Sequence, residues 1–386
     1  MYYWFILLSP IMLIIESLIG NNYIQYIAFG IIILYLLRKK IFFNLYVLSI
    51  MFIFGIQFVV FKNYYCDSFN NVTLIRWGYF MLNMYILTKR KVVTELKEFL
   101  ELRKNKILII AIICLIIEFI SIFNGGMRYH WEGKAFYGVF ASPHNNSYFL
   151  LVIQFMLMYS MIKQTRFIKQ NIINVLIIFT IGLNLLTAAR VSTLVAMFVY
   201  GLFIIKYCNK NIISAIMISF MIIISILIIL QYDLIDLNNI PLLQKFQRQE
   251  RVGNVLSSRD RIWNAQITYY LNYNNILQMI FGNYFGISVL INSNLMGEFI
   301  WAHNDILEVL VSIGVVGVVL YLYPCYVFVK TNKQYVLTGL IMILAIWNGF
   351  MNYVQISIFI PVIFIFYYEY KQYFSKENSR NVNEKT

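Results

Sequence analysis

The chain has 386 residues, of which 61% are hydrophobic and only 12% charged, with a formal net charge of +14. An average soluble domain carries roughly 25% charged residues, and this chain has too few polar groups to cover a folded surface of its size. That balance excludes a soluble globular enzyme and a disordered chain, and leaves a polytopic membrane protein.

A helix that crosses a bilayer needs about 20 largely apolar residues. In chain order the candidates are 2–20, 23–37, 41–61, 72–88, 107–123, 147–162, 172–189, 191–206, 212–231, 305–329, 335–350 and 353–370. The expectation is an all-α polytopic fold of about twelve spans, within a range of about 10–13. The first apolar run has neither a basic leader nor a clear cleavage site, so it is expected to stay as a span. The layout predicts an N-terminal membrane domain over 1–231 with about nine spans. A large extracytoplasmic loop over 232–304, C-terminal spans over 305–370 and a polar tail over 371–386 follow. No internal repeat is visible, which gives no support to a transporter-type duplication.

With both ends on one side, the basic residues sort themselves. Arg38, Lys39 and Lys40, the cluster from Lys89 to Lys106, Lys163, Arg166, Lys169, Lys206, Lys210, Lys330, Lys333 and the tail fall on inner segments. They are about two thirds of the 31 basic residues. This obeys the positive-inside rule, so both termini are expected in the cytoplasm. The rest are Lys62, Arg76, Arg128, Lys134, Arg190, Lys245, Arg248, Arg251, Arg259 and Arg261, mostly arginine. Arginine offers a planar fork that suits phosphate, whereas lysine suffices as an anchor. His130, His144 and His303 also fall outside, so any chemistry is expected on the outer side.

The segment 89–106 reads as a basic amphipathic helix on anionic lipid. The outer segments 124–146 and 232–304 are long. The second carries Trp263, Tyr269, Tyr270, Tyr284, Phe285 and Trp301, which predicts a small helical cap. The four cysteines stand singly, without a CxxC pair, so neither a zinc knuckle nor a redox motif is offered.

Four short constellations could carry chemistry. Arg190 stands between two apolar spans with Thr187, Ser192 and Thr193 beside it, and an intramembrane arginine is by default a functional candidate. Snorkelling to lipid headgroups is the competing explanation. In Ser257-Ser258-Arg259-Asp260-Arg261-Ile262-Trp263, a serine can cap a helix with Asp260 in its first turn, and Arg259 shares a face with Trp263. A surface helix with an arginine packed on a tryptophan explains this equally well. In Trp301-Ala302-His303-Asn304-Asp305-Ile306-Leu307-Glu308, followed by Gly314-Val315-Val316-Gly317, His303 stands at the mouth of a span. An imidazole with an ordinary pKa near 6.5 is mostly neutral at pH 7 and suits a general base. A backbone-bonded interfacial histidine is the competing reading. Ser142-Pro143-His144-Asn145-Asn146 reads as a turn and cap before a span, with Arg128, His130 and Lys134 upstream as a site entrance. There is no Walker loop, no strand-linked GxGxxG, no HExxH and no Asp-x-Asp pair. Chemistry on a phosphorylated substrate would therefore use arginines instead of a metal.

These stretches, with Phe281-Gly282-Asn283-Tyr284-Phe285-Gly286 between the second and third, resemble in order and spacing the O-antigen ligase/polymerase superfamily. The resemblance covers roughly 140–320 at motif level and the whole chain in layout. It implies a GT-C-like fold and an inverting, metal-independent glycosyltransferase without a cofactor. The enzyme would work at the outer face of the bacterial cell membrane on a polyprenyl-diphosphate-linked oligosaccharide. His303, Arg190 and Arg259 match the family's catalytic positions. Arg261, Asn304, Arg128, His144 and Asn145 join them as substrate-binding candidates. Polymerisation of repeat units for an O-antigen, capsule or exopolysaccharide is the first expectation. Ligation to another acceptor is the alternative, and a transporter or flippase of lipid-linked glycan is the rival from another class. Expected partners are the lipid-linked glycan, membrane lipids, and flippase and chain-length regulator proteins, with no nucleic acid.

Overall fold

The computed structural model describes residues 1–20, 23–60, 68–130, 133–164, 167–208, 259–297 and 301–332, with Ile346 and Gly349. The described chain is mostly helical, and its apolar helices suggest a membrane-embedded protein. Among the described residues, Tyr2–Ile19, Lys104–Gly126, Ile168–Leu186 and Asp305–Val327 are long and apolar enough to cross a membrane. Tyr23–Arg38, Leu45–Gln57 and Arg190–Ile204 are shorter apolar helices. Each expected span that falls on described residues coincides with a helix. The expected spans 212–231, 335–350 (apart from Ile346 and Gly349) and 353–370, residues 232–258 of the expected loop 232–304 and the tail 371–386 lie outside the described residues.

The chain divides into two compact units, one drawing on Met1–Phe99 and Asn254–Pro361, the other on Leu100–Gly253. In the first, α1 (Tyr2–Ile19), α2 (Tyr23–Arg38), α3 (Leu45–Val60) and α4 (Ser68–Leu87) come first. The helix α5 (Arg90–Glu101) closes this run. After the undescribed stretch come α10 (Arg259–Asn272), α11 (Ile276–Phe281), α12 (Ile287–Met296) and α13 (Asp305–Asn332). The core forms around Trp77 of α4, fully buried, which stacks on Phe54 of α3 and tilts against Phe285. Phe80 stacks on Tyr321 of α13, and the Tyr46 hydroxyl donates to the Leu320 carbonyl at 2.8 Å. Between α1, α2 and α4, Glu16 accepts from the Ile24 N–H at 3.1 Å, and Gln25 accepts from Arg76 Nε at 2.6 Å. Arg76 is thus engaged inside the helix bundle.

The second unit holds α6 (Lys104–Ser121), a π-turn (Ile122–Gly126), β1 (Met127–His130), β2 (Gly133–Phe136), α7 (Pro143–Ile162), α8 (Phe167–Leu186) and α9 (Arg190–Cys208). From Asn146 to Ile162 every residue of α7 is buried. A helix apolar on all sides belongs at the centre of a bundle, and α7 packs on α6, α8 and α9.

Two features depart from the sequence reading. Residues 124–146 contain an antiparallel hairpin, with Met127 opposite Phe136 and Tyr129 opposite Lys134. Arg128 and Tyr129 are both exposed and Ala135 and Phe136 both buried, so no period of two marks these strands in the sequence. The helix α5 does form where a lipid-surface helix is expected, but the protein itself covers its apolar side. Val92 and Leu96 are buried, and Phe99 packs against Tyr3 and Trp4 of α1. Glu95 accepts from the Tyr3 hydroxyl at 2.8 Å and pairs with Lys39 at 2.6 Å. What α5 leaves outward is polar: Arg90, Lys91, Thr94, Glu98 and Glu101.

Candidate functional site

In the first unit, the motifs read separately in the sequence meet at the turn before α13. The described part of α10 begins at Arg259, with Asp260 in its first turn; Ser257 and Ser258, the expected caps, lie outside the described residues. Arg259 and Trp263 are one turn apart on one face. The Trp263 indole N–H donates to the Ala302 carbonyl at 3.0 Å. The Ala302 N–H donates at 3.5 Å to Glu308, whose other oxygen accepts from the Ser288 hydroxyl at 2.6 Å. The peptide groups on both sides of Ala302 are thus held. His303 follows with φ of 52°, a left-handed backbone rare for a residue with a side chain. Asn304 caps α13, its Oδ1 accepting from the Ile306 and Leu307 N–H groups at 3.0 and 3.1 Å. Asp305 and Glu308 are buried in the first turn of α13, where the helix dipole favours negative charge. Asp305 accepts from the Tyr321 hydroxyl at 3.0 Å.

A cap, a clamp and a left-handed residue together present a half-exposed His303 at a fixed place. Arg261 is exposed, and two residues along a helix puts it on the far side of α10 from Arg259 and Trp263. Arg259 shares the face that reaches the His303 turn, and Arg261 does not.

The turn 281–286 supports this arrangement from below. The helix α13 breaks at Gly314, with φ of 72° and ψ of −165°. Carbonyls freed near such a break must find other donors. Asn283 Nδ2 donates to the Val311 carbonyl at 3.4 Å, and Gln57 Nε2 to the Ser312 carbonyl at 3.5 Å. Gln57 also accepts from the Phe285 N–H at 3.1 Å. Gly282 sits against the backbone of Ile313 and Gly314 against that of Ile280, so closely that a Cβ on either would collide.

The second unit brings together the other two constellations. Arg190 opens α9 just after Ala188, which has φ of 57°. Beside it Asn184 accepts from the Ser147 hydroxyl at 2.6 Å and from the Thr193 hydroxyl at 3.0 Å, and its amide donates to the Ser147 carbonyl at 3.2 Å. Ser147 also bonds Ser192, and Thr187 donates to the Asn184 carbonyl at 2.7 Å. All five side chains are buried. This network joins the start of α7 to the turn that carries Arg190.

At that start, Ser142 caps the helix by accepting from the Asn145 N–H at 3.2 Å, with Pro143 in first position. His144 and Asn145 are half-exposed beside it. Asn146 is buried, and its amide, turned to satisfy both ends, donates to Glu118 at 3.0 Å and accepts from the Gly138 N–H at 3.1 Å. Arg128 lies in the hairpin, with Nε on the Gly125 carbonyl at 3.1 Å and its guanidinium 5.5 Å from the Tyr137 ring. That ring's hydroxyl pKa is raised, by burial first, with the Arg128 charge opposing.

His303, Asn304, Arg259 and Arg261 therefore belong to one unit. Arg190, Arg128, His144 and Asn145 belong to the other. The sequence reading assigned no role to Glu308, Ser288 or Gln57. Glu308 had a local signal, an acid five residues after His303. Gln57 had none, because its partner Phe285 is 228 residues away. Among the described residues no three His, Cys, Asp or Glu side chains gather to hold a metal ion. Comparison with protein-family models, with curated proteins and with solved structures finds no match.

Proposed function

We propose that this chain is a membrane glycosyltransferase that joins oligosaccharide repeat units carried on polyprenyl diphosphate. The proposal includes a GT-C-like bundle of about twelve spans. Both termini would lie in the cytoplasm and the reaction on the outer face of the bacterial cell membrane. The observation that carries it is the convergence on His303. Trp263 and Glu308 grip the Ala302 peptide groups, Asn304 caps the span, and the face of α10 that reaches this turn also carries Arg259.

In this reading His303 takes the proton of the acceptor hydroxyl. The hydroxyl oxygen forms a bond to the anomeric carbon on the face opposite the leaving group, so configuration inverts. The bond from that carbon to the diphosphate oxygen breaks, and the lipid diphosphate leaves with the electron pair. Arg259 offsets the charge that grows on it, the role that the resemblance also gives Arg190. A donor aimed at developing charge contributes about 10²–10³-fold in rate. The apolar spans give the polyprenyl chain a solvent.

The test is product analysis with purified protein, lipid-linked repeat units and a separate acceptor. A ladder on polyprenyl diphosphate identifies a polymerase, one transfer to another molecule a ligase, and the absence of any covalent product a transporter. His303→Ala is expected to abolish product while the protein still accumulates in the membrane. Arg259→Ala and Arg190→Ala are each expected to lower it by about 10²-fold or more. Polymer of normal length from the His303→Ala strain would sink the mechanism.

A further inference from the structure

A tyrosine followed four residues later by a lysine occurs at Tyr35 with Lys39, Tyr85 with Lys89, Tyr159 with Lys163, Tyr326 with Lys330 and Tyr367 with Lys371. Each pair closes the C-terminal end of an expected span, on the expected inner side. The positive-inside rule asks for the lysine but not for a tyrosine one turn before it. The last pair lies outside the described residues. In the other four the ammonium stands over the ring, 5.9, 4.4, 5.9 and 5.8 Å from its centroid in chain order. A cation in this place meets the negative end of the helix dipole and the π face of the ring. The four lysines then differ in what else they meet. Lys39 pairs with Glu95 at 2.6 Å and Lys163 with Glu101 at 3.3 Å, both acids of α5. Among the described residues no carboxylate pairs with Lys89 or Lys330.

Lys89 and Lys330 end neighbouring helices of the first unit. The Tyr46 ring, at the start of α3, stacks on Tyr85 of α4 at 4.5 Å and on Tyr323 of α13 at 5.3 Å. Its hydroxyl donates to the Leu320 carbonyl. The three helix ends thus share an aromatic floor, and both lysines follow directly from it in the chain. The charge around them is of one sign. Arg38, Lys40 and Arg90 are exposed. The only acid from Arg38 to Lys91 is Asp67, on the N-terminal side of α4. Open apolar side chains lie in the same segments: Phe43 is 77% exposed, Leu45 79% and Tyr326 61%. A nucleic acid or an acidic peptide would match the charge and leave these side chains uncovered. A lipid with an anionic headgroup matches both.

We propose that the start of α3 and the ends of α4 and α13 bind an anionic phospholipid. Its phosphate takes Lys89 and Lys330, and its acyl chains cover Phe43, Leu45 and Tyr326. Basic groups between helix ends on the cytoplasmic side suit such headgroups. Lys39 and Lys163, each already paired with an acid of α5, stand outside the site. The inference rests on the membrane reading of the apolar helices, and on neither His303 nor glycosyl transfer.

The experiment uses the full chain, purified in a neutral detergent, stripped of lipid and titrated with phosphatidylglycerol or phosphatidylcholine. Native mass spectra count the lipid bound, and no reading involves a reaction product. Phosphatidylglycerol is expected to bind several-fold more tightly than phosphatidylcholine. Lys89→Gln with Lys330→Gln is expected to lose that preference. Lys39→Gln with Lys163→Gln removes the same charge and is expected to keep it. Each variant must elute from gel filtration as its parent does. The unaltered chain gives a second reading that needs no variant: phosphatidylglycerol is expected to raise its melting midpoint more than phosphatidylcholine does. The proposal fails on any of four outcomes. One is equal binding and equal melting with the two lipids, which means no headgroup site. Another is a preference that survives the change at 89 and 330, which means a site elsewhere. The third is an equal loss in both double variants, which means diffuse charge. The fourth is displacement of the lipid by inorganic phosphate, which means a site for free phosphate.

Discussion

Where α7, α8 and α9 meet, polar side chains bond one another; at the turn before α13 they bond the backbone. Ser147, Asn184, Ser192 and Thr193 close a buried network in which each group answers the next. Trp263, Glu308 and Asn304 instead fix peptide groups around a half-exposed His303. The difference follows from what each arrangement leaves over. A closed network in a low-dielectric interior is a joint, and its loss acts on stability. A backbone clamp leaves a side chain to the surroundings, and its loss acts on where that side chain points. Residues that hold the fold are thus distinct from those that aim a half-exposed side chain.

The largest effect is expected beneath the clamp. Gly314→Ala puts a Cβ on a backbone with φ of 72° and ψ of −165° and drives it into the Ile280 main chain. The backbone strain alone costs about 1–3 kcal/mol, so the variant should fail to accumulate in the membrane. Gly20→Ala is its control: φ there is 77° with open space around it, and the expected cost is only about 1–2 kcal/mol. Equal accumulation of both variants would show that the close approach at Gly314 does not matter.

Next is the joint. Asn184→Ala leaves buried hydroxyls of Ser147 and Thr193 short of a partner, at a cost of about 1–3 kcal/mol. Thermal unfolding in detergent should register this as a lower midpoint. Unchanged melting would mean that the network adds no cohesion.

A smaller stability effect but a sharper functional one is expected at the clamp. Trp263→Phe keeps a ring and removes one hydrogen bond, for about 1 kcal/mol of stability. Product formation should nevertheless drop about tenfold or more, since each 1.4 kcal/mol of misplacement at the barrier is a factor of ten. A fall in melting midpoint with full activity would reassign Trp263 to the joint class.

The smallest is the surface pair of Lys39 and Glu95, whose side chains are 34% and 29% exposed. The Lys39 ammonium, first, and the Tyr3 hydroxyl hold the Glu95 carboxyl below its usual pKa of 4.5, against opposing desolvation. A depressed carboxyl stabilises the fold above its unfolded pKa and loses this as pH falls through the folded value. Glu95→Gln should thus lower the melting midpoint slightly at pH 7, by under about 1 kcal/mol. That gap should narrow below pH 4.5.

Much of this protein was legible locally. Apolar runs of bilayer length marked the helices, and their flanking lysines the expected sides. Ser142-Pro143 announced the start of α7, and the spacing of Arg259 and Trp263 put both on one face of α10. All of these are written within a few residues, at the period of one element. The docking of α5 on α1, the hairpin before α7, the hold of Trp263 on Ala302 and of Gln57 on Phe285 are of another kind. The last two join residues 39 and 228 positions apart. A donor's partner at such range is set by which helices pack together and at what depth. No local periodicity carries that information, so only the tertiary structure decided where the polar groups of this apolar chain are used.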